Sequence, residues 1–313
     1  MITKGFLGVD YSYDRETGRW LINGKDGSEL AEKTFFKYYA LSNNSVDALT
    51  HLYVYGTHPA QLNDPLDCDE DIIKFDDVEC IRIFWDKLYP DICQYYKNKL
   101  NEIIKFTQYA YKTWLYRRIG VLSLTDSAEN IPMWSSYTEH KGFCVEFDLA
   151  SFPHKKWGPF PINYQKEIIP ICIKDSCVQI ATLIQTNVKL ESWSYENESR
   201  LLLEAPTGWD LKVFGKDADK YNRPDDLDRK FKYPLESIKS VTLGAKFFVG
   251  GRTNICTYEM EYVATNEIQE KLLDFLAYTK IPVFELFKKG LKVERVRLEI
   301  RKIRNNAYII NNY

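Results

Sequence analysis

The clearest hydrophobic periodicity runs from residue 90 to about 118. There Ile92, Tyr96, Leu100, Ile103, Ile104, Ala110, Trp114 and Leu115 fall near one stripe of a 3.6-residue repeat. That spacing predicts a helix, and Gly120 stands just past it as a residue tolerant of positive φ. Period-two alternation marks residues 142–149, with Val145, Phe147 and Leu149 on one face and Cys144, Glu146 and Asp148 on the other. Residues 296–300 alternate strictly. Shorter apolar or aromatic runs predict strands at 34–39, 52–55, 121–125, 168–174, 200–204, 241–244 and 282–286. Further helices are expected at 42–51, capped by Ser42 or Asn43, at 133–140, and at 267–278 with Ile268, Leu272, Phe275 and Leu276 inward.

Strands and helices alternate without regular βαβ spacing, which predicts an α+β fold with a largely antiparallel sheet and flanking helices. Residues 1–33 are rich in turn signals such as Asn23-Gly24 and Asp26-Gly27, and read as an N-terminal hairpin or arm. No linker forces a cut after them, so 34–313 is expected to be a single α+β domain. The charged stretch 217–230 is the best candidate for a mobile loop.

Composition narrows the class. A hydrophobic fraction of 45% and a charged fraction of 27% describe an ordinary globular chain and exclude a disordered one. The formal net charge of −2 argues against a dedicated nucleic-acid binder. The charge is uneven, however. Residues 64–79 carry eight acids against Lys74, and residues 288–304 carry eight bases against Glu294 and Glu299. That basic C-terminal strand is a candidate nucleic-acid or protein contact. Seven cysteines at irregular spacings, without C-x-x-C, are expected to be free thiols in a reducing cytoplasm. Met1-Ile2-Thr3-Lys4-Gly5 is not followed by a long apolar segment, so neither a signal peptide nor a membrane span is expected. The aromatic fraction is 15%, enough to line a cleft as well as a core.

Phosphate-loop, dinucleotide, nucleophile-elbow and helical zinc motifs are absent. Three clusters remain. Asn63-Asp64-Pro65-Leu66-Asp67 favours a turn in which Asx side chains bond nearby backbone, or a loop presenting Asn63 and Asp64 into a cleft. Ser123 and Thr125 share one side of a strand and are followed by Trp134 and Tyr137, three apart on a helix, which form either an aromatic wall for a ligand or structural packing alone. The third cluster is Lys189, Trp193, Tyr195-Glu196-Asn197-Glu198 and Arg200; Glu196 and Glu198, two apart, share one side if they lie in a strand, and Arg200 continues it. Two carboxylates on one face call for a cation or sugar hydroxyls between them, and on a structural reading Arg200 is that cation. On a functional reading one glutamate is catalytic. A metal-dependent nuclease built on Asp64, Glu146 and Asp148 ranks lowest of the readings, because the usual lysine spacing is missing.

The clusters, in this order and together with Lys37-Tyr38-Tyr39, His140-Lys141-Gly142-Phe143, Lys189 and Trp193-Ser194-Tyr195, resemble the bacterial family catalogued as domain of unknown function 2971. The likeness covers about residues 34–300. The pattern also resembles, more distantly, ADP-ribosyltransferases, which carry an early basic residue, a Ser/Thr strand and a Glu-x-Glu turn. That resemblance implies an ADP-ribosyltransferase-like fold acting on NAD, by transfer to an unknown protein or nucleic-acid acceptor or by hydrolysis, in a toxin or phage-defence setting and without a metal. It implies Lys37 at the pyrophosphate, Ser123 and Thr125 at the nicotinamide ribose, and Tyr38, Trp134 or Tyr137 stacked on the nicotinamide. Asn63, Asp64 and Arg200 complete the binding set, Glu198 stabilises the oxocarbenium, and Glu196 takes the acceptor's proton. The competing expectation is a non-catalytic nucleotide- or ligand-binding sensor of a defence system.

Overall fold

In the computed structural model, residues 1–30, 34–75, 77, 79, 81–82, 99–153, 156–172, 176–204, 229–253 and 259–312 are described. They group into two compact units. The first joins residues 1–30, 55–123 and 154–231, and the second joins 31–54, 124–153 and 232–313. The expected loop at 217–230 falls almost wholly outside the described residues, as does the first part of the helix expected from residue 90.

The helices Leu100–Arg118 and Val178–Asn187 and several small sheets are described in the first unit. The helix Leu100–Arg118 presents Ile103, Ala110, Tyr111 and Leu115 to the core. It ends at Ile119 in extended backbone and passes directly into the strand Ile119–Thr125, whose last two residues belong to the second unit. Gly120 is therefore a strand residue and not a left-handed cap. Its lack of a side chain answers a close approach, because a Cβ there would meet Gly56 Cα at 2.9 Å and the Phe231 ring at 3.2 Å. Gly120→Ala is expected to cost about 1–3 kcal/mol by overpacking. An unchanged urea midpoint would mean that these strands can slide apart freely.

A second helix, Val178–Asn187, is buried on every side from Ile180 to Asn187. Such a helix has no amphipathic period to read. The antiparallel pair Lys156–Pro161 and Glu198–Glu204 shares the helix's hydrophobic cluster through Phe160 and Leu202, with Ile119–Thr125 as the next neighbour of Glu198–Glu204. The parallel pair Asn163–Gln165 and Val188–Leu190 lies in the same unit. The N-terminal segment forms a three-stranded antiparallel sheet, Ile2–Phe6, Val9–Tyr13 and Trp20–Ile22, and it is integral to this core. Tyr11 is fully buried and its hydroxyl donates to Asn187 Oδ1 at 3.0 Å. Cys172 forms a disulfide, which corrects the expectation of free thiols throughout; Cys68, Cys144 and Cys177 are free.

The second unit is a mixed, mostly antiparallel sheet. Its strands run in the order Arg252–Thr253, Met260–Val263, Ala307–Asn312, Lys292–Arg304, Val283–Lys289, Ile238–Leu243, Phe143–Phe147 and Phe35–Tyr39. Only Ile238–Leu243 and Val283–Lys289 run parallel among these pairs. Helix Glu267–Thr279, capped by Asn266, packs Leu272 and Leu276 inward, as its period predicts. Leu273 joins them, while Phe275 is only half-buried. Helix Asn43–Thr50 is capped by Ser42, which accepts from the Ser45 amide. Helix Ile131–Thr138 is capped by Asn130 and stops two residues short of the expected end, because Glu139 and His140 both take positive φ. Together the two units give the expected α+β class. Among the described residues no helix is long and apolar enough to cross a membrane.

Candidate functional site

The Glu196-Asn197-Glu198 spacing produces its geometry by a turn and not by a strand. A 3-10 helix, Glu191–Glu196, ends at Asn197, which sits in the left-handed region at φ 48 and returns its N–H to the Ser194 carbonyl. Asparagine tolerates that conformation better than most residues. The strand Glu198–Glu204 starts immediately afterwards. This corrects the reading that period two alone puts both carboxylates on one side: the turn at Asn197 re-aims Glu196 so that both converge on one cation.

That cation is Lys189, from the strand Val188–Leu190. Its Nζ donates to Glu196 Oε2 at 2.6 Å and to Glu198 Oε2 at 3.0 Å, and lies 3.7 Å from Asp67 Oδ2. Arg200 forms the second bridge. Its Nε donates to Glu198 Oε1 at 2.7 Å, while its two terminal nitrogens donate to the two oxygens of Asp67 at 2.8 and 2.5 Å. A third acceptor, the Thr186 carbonyl at 2.9 Å, ties the guanidinium to the end of the buried helix. This fork-on-carboxylate geometry is available to arginine and not to lysine.

Asp67 is delivered by the Asn63–Asp67 turn, which forms as its residues predict. Asp64 Oδ1 accepts the Leu66 N–H and its carbonyl accepts the Asp67 N–H, both at 3.0 Å. Asp64 is thus buried and committed to its own turn, with Asn63 beside it. The Gln185 amide donates to the carbonyl of Cys68 at 2.8 Å and holds the turn against the helix.

All five charged side chains are 5% exposed or less. Three carboxylates face two cations, so one negative charge is in excess. Burial pushes the Glu198 carboxyl up, but Arg200 and Lys189 outweigh it. With hydrogen bonds from Arg200 and Ser123 they hold it at about 2. Burial pushes Lys189 down, and its carboxylates, Glu198 foremost, reverse this and raise it. Arg200 is likewise raised against its burial by Glu198 and Asp67. Glu198, Lys189 and Arg200 are therefore each held in the ionised form by the others. The Lys189 ammonium lies among the three carboxylates, the position a bound cation would otherwise take. Among the described residues no group of three or more His, Cys, Asp or Glu is arranged to hold a metal.

The rim of this cluster carries aromatics. The Lys189 ammonium lies 4.9 Å from the Trp193 ring centroid, and Tyr195, 38% exposed, is tilted against Trp193 at 6.1 Å. The Glu198 N–H donates to the Tyr164 hydroxyl at 2.9 Å.

Of the residues singled out in the sequence, Ser123, Glu196, Glu198 and Arg200 come together in the first unit, with the Asn63–Asp67 turn adjoining through Asp67. Lys37, Tyr38, Thr125, Trp134 and Tyr137 belong to the second unit. There Trp134 is fully buried, and its indole N–H donates to the Ala128 carbonyl at 2.7 Å. Tyr38 meets it edge-on at 5.1 Å, donates to the Ser127 carbonyl and accepts the Asn130 N–H. Tyr137 packs half-buried on the same cluster. These rings pack as core, the structural one of the two readings their spacing allowed, and neither face of Trp134 is accessible. Thr125 is 1% exposed, and the Lys37 ammonium lies 5.5 Å from the Tyr39 ring.

Two members of the cluster carried no assigned role in the sequence, Lys189 and Asp67. Lys189 stands in the same cluster of the sequence as Glu196, Glu198 and Arg200, but nothing in that spacing says that it bridges the two glutamates. Asp67 gave no signal beyond its turn. No family model matches this chain, and neither the curated proteins nor the solved structures contain a match.

Proposed function

We propose that the protein cleaves the N-glycosidic bond of NAD, as an ADP-ribosyltransferase or NAD glycohydrolase, with Glu198 as the catalytic carboxylate. The observation that carries this reading is the state of Glu198, an anion held in place by two cations and by the Ser123 hydroxyl. A pre-oriented carboxylate that cannot protonate near neutral pH is suited to stabilise positive charge as a glycosidic bond breaks. Glu196, held by the same lysine, is then the carboxylate that takes the proton of an acceptor or of water. A carboxylate has roughly four lone-pair positions, and Lys189, Arg200 and Ser123 fill most of those on Glu198. The ribose 2′-hydroxyl therefore has to replace one of these donors, and Ser123 is the uncharged one. The Trp193 and Tyr195 pair supplies a flat apolar surface next to the cluster for the ring of the substrate.

Burial favours a second reading. Glu196 and Glu198 are 2% and 4% exposed, so substrate reaches them only after local opening. A non-catalytic nucleotide- or ligand-binding module would use the same cluster purely as a brace.

The experiment is incubation of the full chain with labelled NAD, with protein, DNA and RNA acceptors present. The expected result is nicotinamide release by wild type, with at least a 100-fold loss in Glu198→Gln. Ser123→Ala, which removes no charge and spares the ion network, is expected to lose about 10-fold, with an unchanged circular dichroism spectrum. NAD recovered intact from wild type would sink the enzymatic reading. A rise in Tm with intact NAD would identify binding without turnover.

A further inference from the structure

The basic C-terminal segment, which the cluster above leaves unused, builds a distinct feature in the second unit. Strand Lys292–Arg304 is thirteen residues long. Its first half pairs with Val283–Lys289, and that register ends at Val283 opposite Leu298. Its second half pairs with Ala307–Asn312 on the other side. Among the described residues, 299–304 therefore have a strand neighbour on one side only. On the open side the chain turns away at Pro282, Ile281 and Lys280 into the C-terminal end of helix Glu267–Thr279.

A groove of about 910 Å³ occupies the notch. Its apolar lining includes Phe275, Leu276, Ile281, Val283, Leu298 and Ile300. Tyr278 stands at its rim with 88% of its surface exposed. The charges lining it are Lys280, Arg297, Arg301 and Lys302 against Asp274 and Glu299. Lys302 is engaged by Asp274 at 2.7 Å, and Arg301 lies 3.9 Å from Glu259. Lys280 and Arg297 are exposed and form no ion pair among the described residues.

We propose that this groove receives an extended acidic peptide from a partner protein, which adds a strand to the open edge at residues 299–304. A free edge offers backbone donors and acceptors at a fixed spacing, and six residues span roughly 20 Å of strand. Alternate side chains of such a peptide point into the apolar floor, and the others face Lys280 and Arg297. Nucleic acid fits less well, because the floor would strip water from phosphates without replacing its hydrogen bonds. The charged residues along the edge also deter self-association, which is the ordinary use of charge on an edge strand. A partner with the opposite charge escapes that guard.

The test uses the full chain and a set of labelled eight-residue peptides alternating Asp or Glu with Val, Ile, Leu or Tyr. Fluorescence anisotropy is expected to find members binding in the micromolar range. N-methylation of alternate backbone nitrogens should abolish that binding while leaving charge and side chains intact. Arg297→Glu and Lys280→Asn, both at exposed positions, should each weaken binding at least fivefold; asparagine also tolerates the positive φ of residue 280. Hydrogen exchange should slow at residues 299–303 on binding. The proposal is overturned if no member binds at 1 mM, if N-methylated peptides bind equally well, or if a 20-nucleotide single strand binds more tightly than every peptide.

Discussion

Arg200→Leu is expected to cost about 3–5 kcal/mol in urea unfolding, the range for breaking a buried ion cluster by removing one partner. The guanidinium is 1% exposed and donates to Glu198, to both oxygens of Asp67 and to the Thr186 carbonyl. Leucine fills much of the volume but leaves Asp67 and Glu198 facing each other in a site that already holds one negative charge in excess. Lys189 alone cannot compensate three carboxylates. The loss is therefore mainly the penalty of stranded charge, and less the worth of the lost hydrogen bonds. Arg200→Lys keeps the charge but not the planar fork, and should recover less than half of the loss. A cost under about 1 kcal/mol for Arg200→Leu would mean that water enters the cluster and screens it, and the picture of a dry, locked network would fall.

The second large effect is a pH dependence. Glu198 is held at about 2 in the folded protein, below its ordinary value of 4.5. Between those values the unfolded chain binds more protons than the native one, so stability rises with pH across that window. The stabilisation is complete above 4.5 and is lost as pH falls towards 2. A difference of this size corresponds to about 3 kcal/mol at neutral pH. Glu198→Gln should flatten the acid limb of the stability curve and lower the neutral-pH plateau by a similar amount. Glu285 contributes with the opposite sign. Burial raises it to about 7, so its contribution is present at acid pH and is lost as pH rises from 4.5 to 7. The two windows adjoin without overlapping; Asp14 and Asp26 are also held low by their hydrogen bonds, so it is the difference between wild type and Glu198→Gln in a urea series at pH 2–4 that isolates Glu198. An acid limb identical in wild type and Glu198→Gln would show that the carboxylate is not held by its two cations.

Periodicity located most elements whose two faces differ in polarity. Helix Glu267–Thr279 has one apolar stripe, and strand Phe143–Phe147 alternates cleanly, so both were legible. The helix Val178–Asn187 was not, because it is buried on all sides and carries Thr182, Gln185, Thr186 and Asn187 inward; the two threonines donate to carbonyls one turn back, while Gln185 and Asn187 donate to the distant carbonyls of Cys68 and Pro161. Strand Lys292–Arg304 was legible only over its middle, since both ends are exposed and charged on successive residues. Gly120 follows the helix, but a helix end and a close approach of backbone both demand glycine, and only the second involves a residue as distant as Gly56.

For the site, local chemistry in the sequence determined the turn at Asn63–Asp67, the pairing of Glu198 with Arg200, and the need for a cation or sugar hydroxyls between Glu196 and Glu198. Those depend on spacings of two to four residues, where backbone geometry leaves few choices. Tertiary structure alone decided that the bridging cation is Lys189, that Asp67 completes the cluster, and that Tyr38 and Trp134 are core. These are matters of burial and of contact between segments more than a hundred residues apart, such as Asp67 with Arg200, and no local pattern encodes them.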